Sequence, residues 1–172
     1  MPLTVPAQVT RTQRLPVPRD RAFELLLDLP AWAALFPRVD TIEPMDQDAS
    51  PDAPGPSAAQ ALGAYRWTMV PLGPPGLEMV TVYACHYAAD RDAGRLTWTP
   101  VEGVGNARFS GEATLSTGDA EGCDLALRID AELEIPAPRI VRGIVEAAVH
   151  FEFGRTVDTF LDNVADRLAG GV

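Results

Sequence analysis

Proton transfer, nucleophilic attack and metal binding each need particular side chains at particular spacings, and this chain offers few. It has two histidines, His86 and His150. Glu146 precedes His150 by one helical turn, a spacing that lets a carboxylate orient or charge an imidazole. That pair could act as a general acid–base centre or as a polar anchor for a ligand. His86 stands between Cys85 and Tyr87 in an apolar run and reads as a bland strand position. Two lone histidines without HxxxH or HxH spacing do not make a metal site. Cys85 and Cys123 lie far apart in strand-like runs and read as buried thiols. None of the four serines, Ser50, Ser57, Ser110 and Ser116, falls in a GxSxG turn. All fourteen basic residues are arginine, so no lysine is at hand for a Schiff base or a phosphate loop. Asp130, Glu132 and Glu134 alternate along one run and read as a solvated charge ladder rather than a catalytic pair. No catalytic residue and no cofactor is therefore expected.

The totals narrow the partners. The formal net charge is −10, which argues against nucleic acid and against anionic membrane surfaces. A chain of 172 residues buries about 70% of its unfolded surface, so one domain spanning 1–172 is expected, with a core over about 8–169. There is no apolar run long enough to cross a membrane. The opening MPLTVPAQVTRTQR lacks the apolar stretch of a signal peptide, so a cytoplasmic location is the expectation.

One stretch must position the rest. Residues 138–168 hold no proline after Pro138, and Gly170-Gly171 closes them. The pattern predicts one long helix. Phe153, Val157, Phe160, Leu161, Val164 and Leu168 form an apolar stripe along its second half. Extended backward, that stripe meets Arg139, Arg142, Glu146 and His150, while Ile140, Val141, Ile144, Val145, Ala148 and Phe151 fall opposite. The expectation is a kink, bulge or break around 150–154 that lets both halves face the core. The alternative is a straight helix with Arg142, Glu146 and His150 inward and an apolar patch outward, toward a partner or a second copy.

Upstream lie strands and turns. Strands are expected at 8–17, 39–45, 62–70, 77–87, 95–101, 106–117 and 123–135. Two short helices follow the first strand, the second ending at Pro37. Residues 46–60 are rich in Pro, Ala, Asp and Ser and read as a mobile loop inserted in the domain. Alternation in the strands gives one apolar and one charged face, the pattern of an antiparallel sheet with a solvated outer side. The apolar side carries Tyr65, Trp67, Met69, Trp98, Phe109 and Leu127. With Glu146, His150 and Phe153 of the helix, these are the candidate lining of a ligand cavity. Gly111 sits mid-strand, either to bend the sheet or to make room for a neighbour.

The order is α+β: strand, two short helices, six strands, long helix. With V-P-x-x-R-A-F at 17–23, L-P-A-W-A-A-L-F-P-R-V at 29–39, L-T-W at 96–98, F-S-G-E-A-T-L at 109–115 and I-P-A-P at 135–138, it resembles the START-like helix-grip superfamily. That superfamily, also called SRPBCC, includes polyketide cyclases, birch-pollen-allergen-like proteins and coenzyme-Q-binding proteins. The resemblance implies a curved antiparallel sheet of about seven strands wrapped round the terminal helix, with a cavity for an apolar ligand between them. It implies no shared catalytic motif. Three functions follow as expectations. The first is non-enzymatic binding of a small hydrophobic or lipid-like molecule. The second is an interaction or homodimer module using Ile140, Ile144 and Phe151. The third is an enzyme of the cyclase, aromatase or dehydratase kind, with His150 and Glu146 handling protons.

Overall fold

Strands that alternate in polarity pair most cheaply with their neighbours in sequence, and here they do so almost throughout. The computed structural model describes residues 1–46, 59–73, 75–76, 78–117 and 121–170. Among them the sheet has seven antiparallel strands: β1 (Leu3–Leu15), β2 (Val39–Met45), β3 (Gln60–Met69), β4 (Val82–Asp90), β5 (Arg95–Pro100), β6 (Ala107–Ser116) and β7 (Cys123–Ile135). The spatial order is β1-β7-β6-β5-β4-β3-β2. Five hairpin steps run from β2 to β7, and β1 then closes beside β7. Helix α1 (Arg19–Leu27), a 3-10 turn (Leu29–Ala31) and α2 (Trp32–Leu35) fill the β1–β2 connection. The terminal helix α3 (Arg142–Gly170) lies against the curved sheet, after a 3-10 turn at Arg139–Val141. Pro30 sits inside the first 3-10 turn, where it ends α1 and cannot extend it.

Several boundaries depart from the expected ones, most of all at β1 and β4. β1 starts at Leu3 rather than 8 and carries Pro6, which an edge strand tolerates because one side needs no donor. It also ends at Leu15, since Pro18 leads straight into α1. β4 starts at Val82 rather than 77, because an apolar run without alternation does not mark its own start. Leu72 and Met79 form a single bridge ahead of it. Most of the 46–60 stretch lies outside the described residues.

The expected break in the long helix is corrected. α3 runs unbroken from Arg142 to Gly170, straight through His150 and Gly154. In its second half Val157, Phe160, Leu161, Val164 and Leu168 are buried. In its first half Val145, Glu146 and Val149 are half-buried, Arg142 stays exposed, and the Nε2 of the exposed His150 reaches the Pro6 carbonyl of β1 at 3.0 Å. The apolar side faces out: Ile140, Ile144 and Phe151 are 92%, 75% and 67% exposed. Twenty-nine residues of continuous backbone hydrogen bonding outweigh the burial of three side chains, so the helix keeps its phase and exposes them.

Candidate functional site

The alternating pattern sends Val9, Phe109, Leu127, Trp98, Tyr87 and Trp67 to the helix side of the sheet. The register stacks them: Trp67 pairs with Tyr83, Tyr87 with Trp98, and Trp98 with Gly111. Trp67, Trp98 and Leu127 are buried in the core, while Tyr65, Met69, Phe109 and Phe153 are partly buried against it. Trp32 of α2 enters this wall from above. Its ring lies 6.1 Å from Trp67, 6.1 Å from Trp98, 6.4 Å from Tyr87 and 5.2 Å from Phe160. Phe36 stacks on Phe160 at 3.9 Å. Each such pair adds about 0.5–1.5 kcal/mol beyond its buried area. The middle of the expected cavity is thus filled by aromatic side chains, and Trp67, Trp98 and Leu127 serve as packing there.

Open space remains under the first half of α3. A cleft of about 710 Å³ is lined by Pro6, Ala7 and Gln8 of β1, Asp130, Ala131 and Glu132 of β7, Arg108, Phe109 and Ser110 of β6, Pro100 and His150. Ala7 pairs with Ala131 and Ala131 with Phe109, so small side chains and one ring make the floor. Phe153 of α3 meets Phe109 edge to face at 5.9 Å, and Phe109 touches Tyr83 at 4.1 Å. The Phe109–Phe153 pair therefore separates the cleft from the aromatic core. The size suits a small molecule, since ligand pockets run from roughly 300 to 1,000 Å³.

Several polar groups at and beside the cleft are engaged: Gln8 and Arg128 with Asp130, Arg108 with Glu102, and His150 with Pro6. A carbonyl can only accept, so His150 Nε2 carries the proton it shares with Pro6. Glu146 bonds Arg142 Nε at 2.6 Å, not His150, so the expected Glu146–His150 couple is not formed. The arginine fork sits one turn before Glu146 and holds its charge permanently, which makes it the stronger partner. Gln8 donates to Asp130 at 2.5 Å. Inside, burial pushes the Cys85 thiol up to about 12, and the thiol donates to the Phe109 carbonyl at 3.2 Å. Burial likewise raises Tyr83 and Tyr87 well above the usual phenol range. The Trp67 N–H faces the Tyr87 phenol, pulling it down slightly, but outside hydrogen-bond geometry. Near neutral pH these three groups keep their protons and are neither nucleophiles nor bases. Among the described residues no charged side chain is buried, and no group of three His, Cys, Asp or Glu could hold a metal ion.

Of the nine expected lining residues, the structure brings Phe109, Phe153 and His150 together at the cleft. Glu146 stands one turn away from His150. Tyr65 and Met69 belong to β3, three strands beyond β6 and away from the cleft. Trp32, Tyr83, Tyr87, Ala7, Ala131 and the Pro6 carbonyl lie outside the expected set. Tyr83 and Tyr87 share the odd-numbered face of β4, a signal that alternation could have supplied.

A curved antiparallel sheet gripping one long terminal helix, with space between them at one end, defines the START-like helix-grip class. The sequence matches the family described as polyketide cyclase / dehydrase and lipid transport over residues 6–169, and the chain belongs to that family. Solved structures agree on the fold. A protein of Thermus thermophilus superposes with a TM-score of 0.72 at 20% identity, covering 96% of this chain and 99% of that one. The Zhui aromatase/cyclase of Streptomyces sp. R1128 gives 0.65 at 20% identity, covering 97% and 99%. Norcoclaurine synthase of Thalictrum flavum, in complex with dopamine and hydroxybenzaldehyde, gives 0.58 at 13% identity, covering 98% and 90%. No curated protein sequence matches the chain. No helix among the described residues is long and apolar enough to cross a membrane.

Proposed function

We propose that the chain is a single-domain binding protein that holds a small apolar molecule in the cleft between β1, β7, β6 and the first half of α3. The observation that carries this reading is the cleft itself: about 710 Å³, floored by Ala7, Ala131 and Phe109, with His150 bonded to the Pro6 carbonyl and Gln8 to Asp130 at its edge. The alanine and phenylalanine floor favours burial of a greasy surface, while Gln8, Arg108, Ser110, Asp130, Glu132 and His150 around it can orient a polar end. The family description, with its cyclases and its lipid transport, supports a ligand of this kind. An enzymatic role would rest on His150, whose Nε2 proton is held by a backbone carbonyl.

Fluorene, a flat apolar probe, tests the reading. It is expected to bind one per chain, followed by tryptophan fluorescence. Ala131→Phe fills the floor of the cleft without touching the core, and is expected to weaken binding at least about tenfold. His150→Ala is expected to weaken it by no more than about threefold, since the imidazole is an anchor at the rim. Unchanged affinity in Ala131→Phe, with the fold intact by circular dichroism, would overturn the placement.

A second reading has its own observation. Ile140, Ile144 and Phe151 leave an apolar strip on the outer side of α3 and the turn before it, which a second copy of the chain could cover.

A further inference from the structure

The charged and amide donors at the cleft are spent inside the protein, and one acceptor is left over. Gln8 donates to Asp130 at 2.5 Å, Arg128 to Asp130 at 3.1 Å, and Arg108 to Glu102. Arg142 of α3 takes Glu146 at 2.6 Å. Among the described residues lining the cleft, all belong to strands except His150, which α3 supplies. Its Nε2–H is committed to the Pro6 carbonyl at 3.0 Å. An uncharged imidazole that donates through one nitrogen carries a lone pair on the other, so Nδ1 accepts. Among the described residues that Nδ1 has no hydrogen-bond partner. Glu146, one turn before it, cannot become one, because a carboxylate only accepts. Asp130 and Glu132 at the cleft edge are acceptors too, and their charges disfavour an acid.

We propose that the cleft's ligand is an uncharged apolar molecule bearing a hydroxyl, whose O–H donates to Nδ1 of His150 while its apolar body covers Ala7, Ala131 and Phe109. This rests on the reading of the cleft as a binding site and adds the chemical class. The bond to Pro6 fixes the ring tautomer before the ligand arrives, so the acceptor is preset and no proton has to move. A ligand ether or carbonyl oxygen gains nothing at this nitrogen, because two acceptors share no proton. His150 is exposed, so the new bond competes with water and adds several-fold in affinity rather than orders of magnitude.

The experiment compares fluorene with its hydroxy and methoxy derivatives, substituted at the same ring carbon. Only hydroxyfluorene carries an O–H, and methoxyfluorene keeps the oxygen without it. Hydroxyfluorene is expected to bind about three- to tenfold more tightly than methoxyfluorene, the net worth of one hydrogen bond. His150→Phe keeps an aromatic ring and removes the acceptor, and should bring that ratio near one. In the unaltered protein, the His150 Nδ1 nitrogen resonance should move with hydroxyfluorene and stay with methoxyfluorene. That spectroscopic readout stands even if the variant fails to fold. Equal affinities, or an Nδ1 resonance that ignores the hydroxyl, overturn the hydroxyl inference while fluorene binding upholds the cleft. If no probe binds, both fall.

Discussion

Trp32→Ala is expected to cost about 3–5 kcal/mol of stability, the range for removing a buried large aromatic side chain. The ring meets Phe36, Trp67, Tyr87, Trp98 and Phe160, which come from the end of α2, β3, β4, β5 and α3. One side chain therefore ties the small helices and the long helix to three strands. Cavity formation would add to the lost burial, because neighbours on separate elements cannot all collapse into the gap. Trp32→Phe should cost much less. It keeps an aromatic ring in the centre and removes an N–H that has no acceptor, so part of its packing loss is offset. Urea denaturation of the two variants gives both numbers. A phenylalanine variant as unstable as the alanine variant would mean that the indole nitrogen is satisfied after all.

Gly111→Ala is expected to lower stability by about 1–3 kcal/mol, a melting shift of roughly 3–10 °C for a chain of this size. A Cβ at this position would stand 2.3 Å from the Arg128 carbonyl oxygen and 2.6 Å from the Trp98 ring. The first contact is with backbone of the neighbouring strand, so no side-chain rotation relieves it. The second is with a ring held by Trp32 and Tyr87. Gly111 thus makes room for a neighbour. Differential scanning calorimetry checks the effect. A melting temperature within about 1 °C of the parent would show that β6 and β7 separate more easily than a paired ladder should.

How far the sequence reads depends on how regular each element is. β7 alternates for thirteen residues, and its face assignment follows directly: Leu125, Leu127 and Ile129 are buried, Arg128 exposed. The long helix is legible from its period, yet its first half misleads. A periodic pattern assumes that apolar residues face the core, and here Ile140, Ile144 and Phe151 stay outside because an open cleft rather than packed core lies beneath the first half of the helix. Phe109, Phe153 and His150 can be found because each is distinctive in type. Ala7 and Ala131 cannot, since a cleft floor is made by small residues that carry no signal of their own. The Pro6 carbonyl is backbone and has none at all. Trp32 lies in a helix of four residues, too short to have a face, so nothing in its neighbourhood shows that it is the centre of the core.

Native mass spectrometry of the purified protein, with solvent extraction of whatever it carries, tests the central claim most directly. The account predicts one small apolar molecule per chain, lost on extraction and restored by adding it back. A chain that carries nothing and takes up no fluorene would contradict it. A bare mass twice that of the chain would shift the weight to the outer strip of Ile140, Ile144 and Phe151.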